Sequence, residues 1–218
     1  MKNKKIFYLL MFLPLLVVLI SLKFLPDQIP AHYGISGEVD RWGSKYETLI
    51  FPGVTIIFGI IMLIITKYAS KQEKGGNNNQ KIGIITGILL LLLLNIMTFY
   101  FLYTDFNKVE NLASVPIDPS QLIFISLGVI IMILGNIMPK VKMNSMIGLR
   151  TTWSMKNEIT WKKSQRFGGI SFIIIGILII ITNLFFHPPI SILLSLIILV
   201  ASLPFDIYYT YKVAKKYN

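Results

Sequence analysis

Cysteine is absent from the 218 residues, which removes a disulfide framework, a thiolate metal site and a cysteine nucleophile from consideration. Charge is scarce as well. Only 14% of the chain is charged against 54% hydrophobic, and the mean hydropathy is +0.68. One soluble core of this size cannot hide that much apolar surface, so the excess has to face lipid. Enzyme signatures are missing too: there is no H-E-x-x-H, no G-x-S-x-G, no phosphate-cradling glycine loop and no pair of carboxylates inside an apolar run. The longest polar segment, 140–166, is too short to fold as a separate catalytic domain. The expectation is a protein that is not an enzyme and has no catalytic residue, cofactor or bound metal.

What the chain does have is six long apolar runs, at 6–25, 49–65, 82–103, 122–138, 167–186 and 190–208. Each approaches the ~20 residues that a helix needs to cross ~30 Å of hydrocarbon, and none alternates as a barrel strand would. The expected fold is all-α, a polytopic integral membrane protein of six transmembrane helices. Lys2, Lys4 and Lys5 precede the first run as in a signal peptide, but no small-residue cleavage site follows, which predicts an uncleaved helix.

Of the 21 Lys and Arg residues, 17 fall in the amino terminus, 67–81, 140–166 and the carboxyl tail. By the positive-inside rule those segments, and both termini, are expected in the cytoplasm. The net charge of +11 is then membrane anchoring, and direct nucleic-acid binding is not expected. Lys23, Arg41, Lys45 and Lys108 stand on the other side with seven acids. The expected organisation is an amino-terminal helix hairpin with an ordered outer loop (1–66), a cytoplasmic linker (67–81), and a four-helix region (82–218) carrying the basic loop 140–166. The GGNNNQ run inside the linker has a composition that predicts flexibility. His187, Pro188 and Pro189 join the last two runs so tightly that they predict an antiparallel helix pair.

Two loops carry content. The outer one, 26–46, reads LPDQIPAHYGISGEVDRWGSKY with Leu25. Its prolines and glycines rule out a long helix, and Tyr33, Trp42 and Tyr46 suit the headgroup level, so a compact loop on the membrane is expected. His32, Glu38, Asp40 and Arg41 form a recognition surface on one reading and a charge-paired connector on another; a metal at His32 lacks a second histidine at ligand spacing.

The inner loop, 140–166, has seven bases and one acid, enough to attract anionic headgroups by charge alone. Gly148 predicts a bend, and Ser154 is the expected cap of a short helix from Met155 with Glu158 in its first turn. Trp153, Met155, Ile159 and Trp161 scatter around a helix, which argues against a simple surface helix and for packing of both tryptophans on the bundle. Arg150 paired with Glu158 is one testable arrangement.

Within the runs, Asn95, Asn136, Thr182, Asn183 and Ser195 are uncharged, and Asp206 is read as close enough to the boundary to reach water. Asn136 is a candidate interhelical donor, and Gly83 with Gly87 a weak close-contact pair. A proton- or ion-driven carrier would need mid-membrane ionisable groups or broken helices in repeated halves.

The segment from Gly135 to Gly169 resembles the signature of the SdpI family of bacterial membrane immunity proteins, approximately GN-x-M-P-K, N-x-x-x-G-x-R-T-P-W-T, E-x-x-W and R-x-G-G. The matching positions include Asn136, Asn144, Gly148, Arg150, Thr151, Trp153, Glu158, Trp161 and Arg166. Thr152, Ser154 and the Ser164-Gln165 pair depart from it. The outer segment, with Pro30, His32, Gly37, Asp40, Arg41 and Trp42, is similar to the amino-terminal domain of unknown function that often accompanies this family. The resemblance implies a multi-pass protein of the bacterial cell membrane that gives resistance to a secreted peptide toxin met on its outer face. It further implies capture of a small transcriptional repressor on the cytoplasmic face. The alternatives are a small transporter or exporter, and a membrane assembly factor.

Overall fold

The computed structural model describes residues 2–34, 36–71 and 75–217. Among the described residues six helices are long and apolar enough to cross a membrane: α1 (Lys2–Ser21), α2 (Ile50–Ser70), α3 (Gly76–Phe106), α4 (Pro119–Ile137), α5 (Glu158–Phe185) and α6 (Ile190–Lys216). Helices satisfy their own backbone polar groups, the condition for a segment in lipid. Large apolar side chains remain exposed on every helix, among them Leu16, Ile57, Phe99, Val129, Leu184 and Phe205. In water that surface would drive aggregation; in a bilayer it is the lipid contact. The chain is a multi-pass membrane protein, as its composition required.

The helices overrun the apolar runs at the polar ends. The GGNNNQ run shows this best: its composition predicts flexibility, yet α3 begins at Gly76 and includes all three asparagines. The reason lies in what they bind. Asn78 donates Nδ2 to the Lys140 carbonyl (2.7 Å), and Asn79, fully buried, donates to the Lys142 carbonyl (3.2 Å) while accepting from the Lys142 N–H (3.0 Å). Side-chain partners elsewhere in the chain override a composition that on its own favours coil.

The outer loop holds strand structure. Strands β1 (Gln28–Tyr33) and β2 (Val39–Ser44) pair antiparallel inside the outer loop, where the sequence predicts a compact loop without naming strands. Strand signals are weak there because few side chains face a core; Ile29 and Pro30 are the buried positions of β1, and Pro30 is tolerated because a two-stranded ribbon is all edge.

Two compact units make up the chain. The first holds residues 1–61 and 87–123, the second 62–86 and 124–218. In the first, Asn95 of α3 donates to the Leu10 carbonyl of α1 (2.9 Å) as well as to its own helix. Gly87 fits against Phe7, Gly59 against Met11, and Val18, Leu25 and Leu102 form a buried cluster.

In the second, α5 and α6 form the expected antiparallel pair, tied by Asn183 donating to the Ser195 hydroxyl (2.8 Å) and by the stacked rings of Phe167 and Tyr209. Helices α4 and α5 approach through glycines. A Cβ on Gly135 would lie 2.5 Å from the Gly169 carbonyl oxygen, and one on Gly176 the same distance from the Gly128 carbonyl oxygen. Lipid tails give helices no hydrophobic reason to associate, so small residues that let backbones approach take that role. Asn136, expected to bridge helices, is exposed on α4; its neighbour Gly135 makes the close contact. Asp206 does not reach water either: it is 2% exposed, and its Oδ1 has no hydrogen-bond partner among the described residues.

Candidate functional site

The outer segment is built as a stitched platform. The turn between the strands passes through Gly37 at φ +82°, a left-handed conformation that glycine adopts without strain. The segment that follows α3 joins the hairpin as a partial third strand. Val39 N–H donates to the Glu110 carbonyl (2.9 Å), Leu112 N–H to the Gly37 carbonyl (2.8 Å), and Glu38 bridges Asn111. Tyr33 donates its hydroxyl to the Val109 carbonyl (2.9 Å), and burial pushes that phenol above its ordinary value.

Two ion pairs and one His–Asp hydrogen bond set the polar side chains. Arg41 grips Glu47 with both guanidinium nitrogens (3.1 and 2.9 Å), and that pairing raises the pKa of the guanidinium. Gly43 makes the grip possible, since a Cβ there would lie 2.2 Å from Glu47 Oε1. Lys45 Nζ reaches Asp27 Oδ1 at 2.9 Å and holds that carboxyl below its ordinary value. His32 Nδ1 lies 2.6 Å from Asp40 Oδ1. Among the described residues no group of three or more His, Cys, Asp or Glu is placed to hold a metal. His32, Asp40, Arg41 and Trp42 are all exposed, Pro30 is buried opposite Trp42 in the register, and Gly37 forms the turn. The first four are available to a partner; the last two shape the surface.

The basic segment is a packed plug, not a loose loop. Trp161 is 2% exposed in a cluster with Ile82 and Val141, and its indole N–H donates to the Val141 carbonyl at 2.8 Å. Asn144 organises the next turn: its Nδ2 donates to the carbonyls of Lys142 and Ile147, and its Oδ1 accepts from the N–H groups of Met146 and Ile147. Gly148, at φ +111°, carries the chain beneath Gln165, whose amide clamps both backbone groups of Leu149.

Further along, Thr151 and Ser154 exchange backbone-to-hydroxyl bonds, and Thr151 also donates to the Thr210 hydroxyl on α6 (2.8 Å). Trp153 meets Tyr211 edge to face at 5.5 Å. The expected helix from Met155 capped by Ser154 does not form. Ser154 is spent on Leu149 and Thr151, and the helix starts at Glu158 with Asn157 as cap, reciprocated by Thr160. Among the described residues no ion pair joins Arg150 to Glu158, and both are exposed.

Asn144, Gly148, Thr151, Trp153 and Trp161 thus hold the plug together, while Arg150, Glu158 and Arg166 stand on its surface. Sequence reasoning missed Asn79, Asn157, Thr160, Gln165 and Thr210. Gln165 carried a signal, an uncharged amide in a run of bases; Thr210 carried none.

Two family models match parts of the chain. The domain of unknown function DUF1648 matches residues 9–56, and the SdpI/YfhL protein family matches residues 140–208. The chain is 27% identical over 221 residues to immunity protein SdpI of Bacillus subtilis, covering all of this chain and 99% of that protein. An uncharacterized protein of Archaeoglobus fulgidus is 49% identical over 49 residues, 22% of this chain and 27% of that one. No solved structure matches the chain. The polar elements just described, hairpin and plug, fall largely within the two matched regions, and the chain is accordingly similar to DUF1648 over residues 9–56, to the SdpI/YfhL protein family over residues 140–208, and to an immunity protein along its whole length.

Proposed function

We propose that the chain is a non-catalytic immunity protein of the bacterial cell membrane, giving its host resistance to a secreted peptide toxin. The carrying observation is the similarity to immunity protein SdpI over the whole length of both chains, not over one module. The Lys and Arg distribution favours both termini and the plug in the cytoplasm and the hairpin outside. In that orientation the hairpin offers an exposed mix of charge and aromatic surface suited to a peptide: His32, Asp40, Arg41 and Trp42 on a hydrogen-bonded platform.

The finer reading is that the plug captures a small repressor through Arg150 and its surroundings. Arg150 supports it by being exposed with no ion-pair partner among the described residues, on a loop whose backbone is fixed by Gln165 and Ser154.

Separate readouts test the two activities. In a strain lacking the gene and complemented in trans, Arg150→Ala should keep toxin protection and normal membrane levels while a fluorescently tagged repressor stays off the membrane. Equal loss of both activities at normal protein level would reject the division. Toxin-independent flux of ions or solutes through proteoliposomes would favour a transporter instead.

A further inference from the structure

We propose that the groove between the start of α5 and the end of α6 is a binding site for the phosphate headgroup of an anionic phospholipid. The groove has a volume of about 380 Å³ and is lined by Lys162, Lys163, Arg166, Phe167, Ile170 and Tyr209. Its floor is fixed: Phe167 and Tyr209 stack with ring centroids 3.8 Å apart and planes 6° from parallel, locking the two helices together at this level. Above that floor stand three cations spaced i, i+1 and i+4 on α5, all exposed. Like charges at such spacing repel, and an anion seated among them relieves that repulsion.

At the hairpin, Arg41 and Lys45 each have a carboxylate within 3 Å. Among the described residues no carboxylate forms an ion pair with Lys162, Lys163 or Arg166, and Lys163 rests instead over the Tyr217 ring at 4.8 Å.

Depth selects the ligand. The cations occupy the turn of α5 just before its apolar run begins at Phe167, which is where lipid phosphates lie, and this holds whichever way the protein faces. Ile170, 52% exposed and one turn further into that run, offers apolar surface to the lipid's acyl chain. A free phosphate would use the cations alone; a phospholipid uses both ends of the groove.

The test is native mass spectrometry of lipid retained by the full chain extracted from phosphatidylcholine vesicles doped with phosphatidylglycerol. Each basic residue near an anionic surface contributes about a factor of five in affinity. Lys162→Gln with Arg166→Gln should therefore reduce retained phosphatidylglycerol roughly 30-fold, to the phosphatidylcholine level. Lys140→Gln with Lys142→Gln, two exposed cations outside the groove, should reduce it far less. If the double variant is poorly expressed, the single Lys162→Glu change should give the same loss. Retention equal to the parent in the groove variants, an equal loss in the Lys140 and Lys142 control, or full displacement of the lipid by inorganic phosphate would each overturn the proposal.

Discussion

Replacing Trp161 by alanine removes the side chain that fastens the plug. It is 2% exposed, contacts Ile82 and Val141, and donates its indole N–H to the Val141 carbonyl at 2.8 Å. Truncating a buried aromatic of this size costs about 3–5 kcal/mol. Leaving the Val141 carbonyl, itself buried, without its donor belongs to the ~1–3 kcal/mol class of penalties, which isolates the hydrogen bond in Trp161→Phe. A loss of ~3 kcal/mol multiplies the open population of the segment roughly a hundredfold. Limited trypsin digestion in nanodiscs, where both faces are accessible, reads that population at Lys140, Lys142, Arg150 and Lys156, because cleavage needs the backbone to detach and tracks the open fraction when reclosing is fast. Trp161→Ala should be cut about a hundredfold faster than the parent and Trp161→Phe at an intermediate rate. A Trp161→Ala protein expressed normally and as resistant as the parent would refute the reasoning that this indole docks the plug.

The α4–α5 approach predicts that Gly135→Val, whose side chain would enter the Gly169 backbone, loses at least ~1–3 kcal/mol and much of its folded yield, whereas Gly53→Ala, with open space around it in α2, is neutral to slightly stabilising in a thermal-shift assay. Single cysteines in the naturally cysteine-free chain at Ser36 and Asn111 should react with an impermeant thiol reagent on whole cells, and those at Asn77 and Asn157 should not; labelling at Asn157 would reverse or break the six-helix topology. The Asp27 carboxyl has its folded pKa depressed by Lys45, so the contribution of that pair is present at neutral pH and disappears only as pH falls below 3.8 through the folded value. Lys45→Met should therefore raise the Asp27 titration midpoint toward 3.8, read by carboxyl NMR shifts; an unchanged midpoint would show the contact is not populated.

The six helices were legible because lipid imposes one rule on every residue of a span, and an unbroken apolar stretch of about twenty residues is what that rule demands and what a soluble fold of this size has no room for. The α5–α6 pairing was legible for a similarly local reason, a turn too short for any other path. What sequence reasoning lost depended on partners distant in the chain. The asparagines of GGNNNQ read as coil until Lys140 and Lys142 are placed beside them, sixty-odd positions away. Gly128 and Gly135 look ordinary on α4 until Gly176 and Gly169 face them. The hairpin was hidden because its pairing is mostly backbone, and backbone bonds leave little trace in residue identity. The tryptophans were read correctly as packed, since their scatter around a helix excluded a lipid-facing stripe, but Trp161 is deeply buried while Trp153 lies only partly covered against Tyr211.

Immunity itself is tested most directly by survival. A strain from which the gene is deleted is exposed to stationary-phase supernatant of its own parent, and viable counts are followed with and without the gene restored in trans. A membrane immunity protein predicts killing of the deletion strain, rescue by the intact gene, and no rescue by a version lacking the membrane helices. A deletion strain that survives as well as its parent, in supernatant shown to kill other sensitive cells, would contradict it.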